Sequence, residues 1–411
     1  MKLLERAHEL APEWIAFRRE LHRYPELSFA ESETAERVAR ELARLGISYR
    51  KGIGGHGIVA EIVGERPGPL IALRADMDAL PIAEEAELPF ASEKPGVMHA
   101  CGHDAHTAML LGAAELLAET RASFAGRVRL LFQPAEEMNA GAKAMVADGA
   151  LEGVSAIYGL HNLPTLAAGC AAVAAGPMMG SVDRIEIAIE GKGAHGAIPD
   201  QGIDPIVCAA ALVQSLQTIV SREVSPFANV VVTIGSIRGG EANNVIPKTC
   251  MLTGTVRAFD ADVQRRLPAI VERIVAGIAA SYRCAARLDY IPQVPVLVNE
   301  AQSAELVQGV IDETIGAGRR APLRPTLAGE DFSLYLGEVP GCFFWLGSGP
   351  LQDAELAYGL HHPKFTLNED CIPVGMALLA GIALRGLQRH REPSAERDSG
   401  AASGYGNEEA P

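Results

Sequence analysis

Residues 98–106 read MHACGHDAH, with Cys101 and His103 two positions apart. A small-residue apolar pattern follows from Thr107 (Met109, Leu110, Ala113, Leu116, Leu117), which places both residues in a loop just ahead of a helix. A thiolate and an imidazole at this spacing are borderline-soft ligands suited to zinc and its neighbours. Further along, the pair Glu136-Glu137 offers one carboxylate to a metal and one to proton transfer. A C-x-H alone is a weak signal, and packing roles stay open until its surroundings are read.

Upstream, the pattern predicts helices over 3–21 and 31–45, with Tyr24-Pro25 breaking the first and Gly46 ending the second. Ser28 and Glu31 have the S-x-x-E spacing of a capping box for the second helix. Apolar runs at 58–63, 70–73, 128–132 and 154–160 read as strands, and they alternate with helical stretches after His106 and over 142–148. Three of these strands are expected to end at polar residues: Asp76 and Asp78, Glu136 and Glu137, and His161. Open α/β sheets place their ligand crevice at the carboxyl ends of their strands, so this ordering argues for a site more strongly than any one motif.

From Ser181 the pattern changes. Alternation through Val182, Ile185, Ile187 and Ile189, a helix over 205–220, strands over 229–237 and 249–259, a helix over 263–280 and a strand over 284–291 give the order βαββαβ. That is the split arrangement of a ferredoxin-like sandwich. After Pro295 the α/β character resumes, through a loop with Glu330-Asp331 and a segment with His361-His362-Pro363 to a last helix from Pro373. The expected fold class is therefore α/β, with a discontinuous first domain (1–179 and 294–390), an inserted small domain (180–293) and a disordered, apolar-poor tail (391–411).

At 411 residues the chain exceeds the size of one core. With 36 Lys and Arg against 51 Asp and Glu its formal charge is −15, which disfavours nucleic acid and anionic membrane surfaces as partners. The amino-terminal helix is interrupted by charges, unlike a secretion signal, and no run reads as a membrane span. Seven dispersed cysteines, mostly in apolar segments, suit a reducing compartment, and the reading is cytoplasmic.

The segments LRADMDALP, MHACGHDAH, QPAEE, GLHN, GKGAHGAIPDQGIDP, GGEANNVIP, GTVRAFD, AGEDFS and HHPKF, in this order, resemble the M20 metallopeptidase family in its amidohydrolase branch of hippurate and indole-acetyl-amino-acid hydrolases. The resemblance implies a di-metal aminopeptidase/carboxypeptidase-like catalytic domain and a ferredoxin-like lid domain through which such chains form homodimers or higher homo-oligomers. It implies metal ligands at Cys101, His103, Glu137, His161 and His361, the last preferred to His362 by its place relative to Pro363. It makes Glu136 the general base and Asp78 the residue that orients a ligand, and it leaves the role of Asp76 open. His195 would reach the site, often from the partner subunit, as a hydrogen-bond donor. Asn243, Asn244 and Arg257 would hold a substrate carboxylate, although from the residues alone they are equally turn formers and a strand arginine.

Five such ligands exceed one open tetrahedral zinc and suit two divalent ions, whether zinc, manganese, cobalt or nickel. If the Glu136-Glu137 segment is extended, the two carboxylates point to opposite sides. The reading is hydrolysis of an N-acyl amino acid, hippurate-like, to a carboxylate and a free amino acid. A dipeptidase or carboxypeptidase of the same fold stays open, as do a thiol hydrolase with Cys101 activated by His103 and a metal-dependent binding protein without turnover.

Overall fold

The computed structural model describes residues 2–353 and 357–391. The tail expected to be disordered lies, from residue 392, outside the described residues. A seven-stranded sheet forms the larger body from β1 (Ser48–Ile53), β2 (Gly57–Val63), β3 (Arg66–Asp76), β4 (Ala125–Gln133), β5 (Ala156–Ala167), β6 (Ala171–Ala172) and a late strand (Gly341–Gly349). The late strand enters between β5 and β6. The central strands β4, β3, β5 and the late strand run parallel, and β1, β2 and β6 pair antiparallel at the flanks. Leu70, Ile71, Ala72 and Leu73 are buried on both faces of β3, which is why this stretch reads as a continuous apolar run.

One face of the sheet is covered by α1 (Leu3–Arg23), α2 (Ser32–Arg44), α3 (His103–Glu119) and two late helices (Ala301–Ile315 and Cys371–Arg391). Trp14, Met109, Leu117, Phe344 and Leu379 belong to this core. Where α3 crosses the last helix, a Cβ on Gly112 would stand 2.6 Å from Met376 and one on Gly375 would stand 2.3 Å from Met109, so the reciprocal glycine–methionine contact sets the approach. On the other face α4 (Gly141–Ala147) and a short helix (Phe332–Leu336) pack Met145, Phe332 and Tyr335 against Phe343.

Between the two parts of this body stand β7 (Val182–Glu190), α5 (Pro205–Leu216), β8 (Val230–Arg238), β9 (Thr249–Ala258), α6 (Ala261–Ser281) and β10 (Ala285–Val294). Their antiparallel sheet has the order β8-β9-β7-β10 and a separate core built on Ile185, Ile187, Leu212, Leu252 and Val271. Asp204 caps α5 by accepting from the N–H groups of Ile206 and Val207, with Pro205 at the first helical position. Val182 is out of phase with Ile185 and Ile187 and lines a cleft between the two bodies.

Several local expectations change. The helix expected from Thr107 begins at His103, so His103 lies in its first turn. β5 continues to Ala167, leaving His161 within the strand. The Ser28/Glu31 pair does not form a capping box: Ser28 donates to Asp78 (2.7 Å), and Glu31 accepts from the N–H groups of Phe29 (3.0 Å) and Ala135 (2.8 Å). Two described helices, Pro205–Glu223 and Cys371–Arg391, are long and apolar enough to cross a membrane by length and composition, against the expectation of none. The second is 78% buried, so packing in the main core accounts for its apolar character; the first is 33% buried and lays Cys208, Leu212 and Leu216 on the small sheet.

Candidate metal centre

The segments that follow β3 and β4 and the first turn of α3 meet at the Asp78 side chain, and the middle of β5 brings His161 to Cys101 beside it. Its Oδ1 accepts from the Glu136 N–H (3.1 Å), and its Oδ2 accepts from the Glu137 N–H (3.1 Å) as well as from Ser28. Burial would raise its pKa, but His103 and Ser28 outweigh that and hold it below the usual carboxylate range. His103 Nδ1 donates to the Asp78 carbonyl at 2.9 Å, which directs Nε2 inward. His161 Nδ1 donates to the Asn162 carbonyl (2.8 Å), and its Nε2 lies 3.3 Å from Cys101 Sγ. Between Cys101 and His103, Gly102 has φ +90°, and a Cβ there would lie 2.3 Å from the Asn162 amide; this turn is open only to glycine.

Two sets of side chains share Cys101. Cys101, His103 and His161 each offer a ligand atom within 4.8 Å of the others, and so do Cys101, Glu137 and His361. His361 Nε2 is 3.3 Å from Glu137 Oε1, whereas His362 stacks on Tyr358. His361 adopts φ +64°, a strained backbone for a non-glycine residue. The acidic pair is not extended as expected, because Glu136 and Glu137 lie in a turn that Ala135 enters at φ +51°. Their carboxylates do not point to opposite sides, since one oxygen of each lies within 4.8 Å of the other, but their further neighbours differ. Glu137 joins Cys101 and His361, while Glu136 joins Glu330 and Asp331, and both lie within 4.8 Å of His103.

The donor set fits divalent cations. His103 Nε2 and Glu137 Oε1 are buried without a hydrogen-bond partner among the described residues, a costly state for polar atoms that a cation relieves. Asp76, Glu330 and Asp331 contact the buried Arg74 and Glu136 lies near it, so the carboxylates here outnumber the one arginine. Burial and then Glu330 push Glu136 well above the ordinary carboxylate value, and burial and then Glu137 push the Cys101 thiol up. For His103 burial works downward, but Asp76, Asp78 and Glu137 outweigh it and bring the imidazole to about 10. A cation at Nε2 would take the place of that proton.

Several supports were not legible in the sequence. Arg74 is fully buried and donates to Gln133 (2.8 Å), Asp76 (2.7 Å), Glu330 (2.9 Å) and Asp331 (3.0 Å). His106 accepts from the Asn162 N–H at Nε2 (3.0 Å) and donates from Nδ1 to Asp76 (2.7 Å). Both its ring nitrogens are engaged within the chain, and Asp76 is hydrogen-bonded to Arg74 and His106, although one oxygen of Asp76 and one nitrogen each of His103 and His106 also lie within 4.8 Å of one another. An arginine inside an apolar strand followed by two aspartates was the available signal for this cluster.

The cleft over the centre has a volume of about 400 Å³, with Met179, Val182, Trp345 and Leu360 as apolar wall and Arg257 on the small-domain side. Arg257 is half-buried and donates to Thr255 (3.0 Å). His195, Asn243 and Asn244 are exposed and do not line this cleft within one chain. His195 instead pairs with Val245 in a short ladder, and the Gly196 N–H donates to the Asn244 carbonyl (2.7 Å).

The sequence profile of peptidase family M20/M25/M40 matches residues 72–385. The chain belongs to this family. As an M20 chain it is 44% identical over 388 residues to an N-acetyl-L-cysteine deacetylase of Bacillus subtilis, covering 93% of this chain and 90% of the relative. It is 40% identical over 375 residues to IAA-amino acid hydrolase ILR1-like 4 of Arabidopsis thaliana, covering 90% and 85%. A crystal structure of the Bacillus subtilis YXEP protein, described as a dinuclear metal binding peptidase of the M20 family, superposes with a TM-score of 0.81 at 38% identity over 93% of this chain and 99% of that one. The M20 chain thus has a mixed α/β fold and is a hydrolase of the amidohydrolase branch, and its clustered ligands together with the dinuclear relative support two divalent ions.

Proposed function

We propose that this M20 amidohydrolase cleaves the amide bond of N-acyl amino acids, with small or aromatic acyl groups such as acetyl, benzoyl or indole-acetyl. The observation that carries the reading is the sharing of Cys101 by two three-residue ligand sets whose inward-facing His103 Nε2 and Glu137 Oε1 are buried and make no hydrogen bond among the described residues. One ion would be held by Cys101, His103 and His161, the other by Cys101, Glu137 and His361. Bound there, the ions supply Lewis acidity at the amide carbonyl and lower the pKa of a bound water towards about 7.

The remaining work falls to the chain. Glu136, held by its backbone to Asp78 and ionised once cations offset its burial, takes a proton from the attacking water and returns it to the departing amine as the C–N bond breaks. The products are a carboxylate and a free amino acid. Arg257 faces the cleft as a donor for the substrate's carboxylate, and the apolar wall through Met179, Trp345 and Leu360 accommodates the acyl group. His195, with Asn243 and Asn244 nearby, serves the site of a second copy in a dimer formed through the small domain. Seven free cysteines agree with a reducing, cytoplasmic setting.

The test is release of free amino acid from N-acetylcysteine, benzoylglycine and indole-acetyl amino acids, before and after chelation and with zinc, manganese, cobalt or nickel restored singly. The reading expects metal-dependent turnover and a Glu136→Ala variant that keeps two ions per chain but loses at least about 100-fold in rate. Turnover confined to unblocked dipeptides would replace it with a dipeptidase.

A further inference from the structure

The turn that carries Glu136 and Glu137 is anchored from an unexpected quarter. Its three successive N–H groups go to two carboxylates: Ala135 to Glu31 (2.8 Å), Glu136 to Asp78 (3.1 Å) and Glu137 to Asp78 (3.1 Å). Asp78 is itself held by Ser28 (2.7 Å), three residues before Glu31. The same oxygen of Glu31, Oε1, also accepts from the Phe29 N–H (3.0 Å). Phe29 and Ala135 are both non-glycine residues at positive φ, +61° and +51°. One fully buried carboxylate therefore joins two strained backbone positions, one in the connection before α2 and one directly ahead of the acidic pair.

We propose that Glu31 is a positioning residue for this site: by accepting the Ala135 N–H it holds the left-handed entry to the turn and so aims the Glu136 and Glu137 side chains. Without that acceptor Ala135 relaxes towards negative φ, and the peptide that follows it rotates. Glu136 and Glu137 are the next two residues, so a small rotation there displaces both carboxylates. The other oxygen of Glu31, Oε2, has no hydrogen-bond partner among the described residues, so the role needs an acceptor at Oε1 and does not need a charge. A loss of aim of about 1 Å costs up to about 100-fold in rate while leaving substrate contacts in place.

The proposal rests on the hydrolase reading for its kinetic arm and is independent of it in its spectroscopic arm. Three variants of the full chain separate it from a merely structural role. Glu31→Gln keeps an oxygen in place of Oε1, Glu31→Asp keeps the charge but withdraws the acceptor by one methylene, and Glu31→Ala removes both. The expected result is kcat within about three-fold of the parent for Gln and lower by about 10- to 100-fold for Asp and Ala, with KM changed less than about three-fold. In the cobalt-substituted protein the visible absorption should shift for Asp and Ala and stay unchanged for Gln, because Glu137 moves only in the first two. If Glu31→Ala does not fold, the contrast between Gln and Asp decides. Equal damage in Gln and Asp, an Asp variant as active as the parent, or an unshifted cobalt spectrum in Asp would overturn the proposal. A parent chain that releases no amine from any acyl amino acid refutes the hydrolase reading, and the cobalt comparison then tests the positioning alone.

Discussion

Cys101 Sγ lies 3.3 Å from His161 Nε2, while the Nδ1 of His103 is taken by the Asp78 carbonyl. Both imidazoles beside Cys101 thus present Nε2 inward, where it can serve a cation, and burial together with Glu137 and Glu136 pushes the thiol up, away from the thiolate that a nucleophile would need. The raised thiol and the two ligand sets that meet at Cys101 favour it as a ligand shared by two cations over a nucleophile.

Cys101→Ala should consequently bind fewer than two ions per chain and lose at least about 100-fold in activity, and Cys101→Asp should recover the stoichiometry with a preference moved towards manganese. Metal analysis and competition between zinc and manganese check this. Full activity in a chelated parent that iodoacetamide then abolishes would return the thiol mechanism to first place.

Arg74 bridges Asp76, Glu330 and Asp331, all of them buried. Removing one partner of such a cluster leaves uncompensated buried charge, a loss of about 3–5 kcal/mol. Urea denaturation of Arg74→Ala should show a destabilisation of that order at neutral pH. Adding Glu330→Gln and Asp331→Asn to Arg74→Ala should recover part of it. A single variant within about 0.5 kcal/mol of the parent would mean that the cluster is solvated in solution.

Burial outweighs the backbone donors at Glu31 and raises its carboxyl to about 7 from an ordinary 4.5. Between those values the folded chain binds this proton more firmly than the unfolded chain does, so the group's contribution to stability is present below about pH 4.5 and is lost as pH rises through about 7. Glu31→Gln cannot titrate. In chelated protein the melting temperature of the variant should therefore rise relative to the parent between pH 5 and pH 8. An offset that stays constant over that range would show that Glu31 remains ionised throughout.

Much of this protein is legible in the chemistry of its residues. A C-x-H ahead of a helix, acidic residues after apolar strands and a βαββαβ insert are local facts of composition and period, and the α/β architecture follows from them. The same locality misled where a nearby pattern competed with a distant contact. Ser28 and Glu31 have a capping spacing, yet their side chains are drawn to Asp78 and Ala135, and the acidic pair reads as extended although Ala135 turns it.

By itself the sequence determined which donor types are present and roughly which strand or helix end bears them, because side-chain chemistry and hydrophobic period are properties of short stretches. Only the tertiary structure decided which nitrogen of each histidine faces inward, that His106 and Asp76 are spent on each other, and that Arg74 meets Asp331 across 257 positions of chain. Those outcomes depend on which groups burial brings within hydrogen-bond range, and no local pattern encodes that distance.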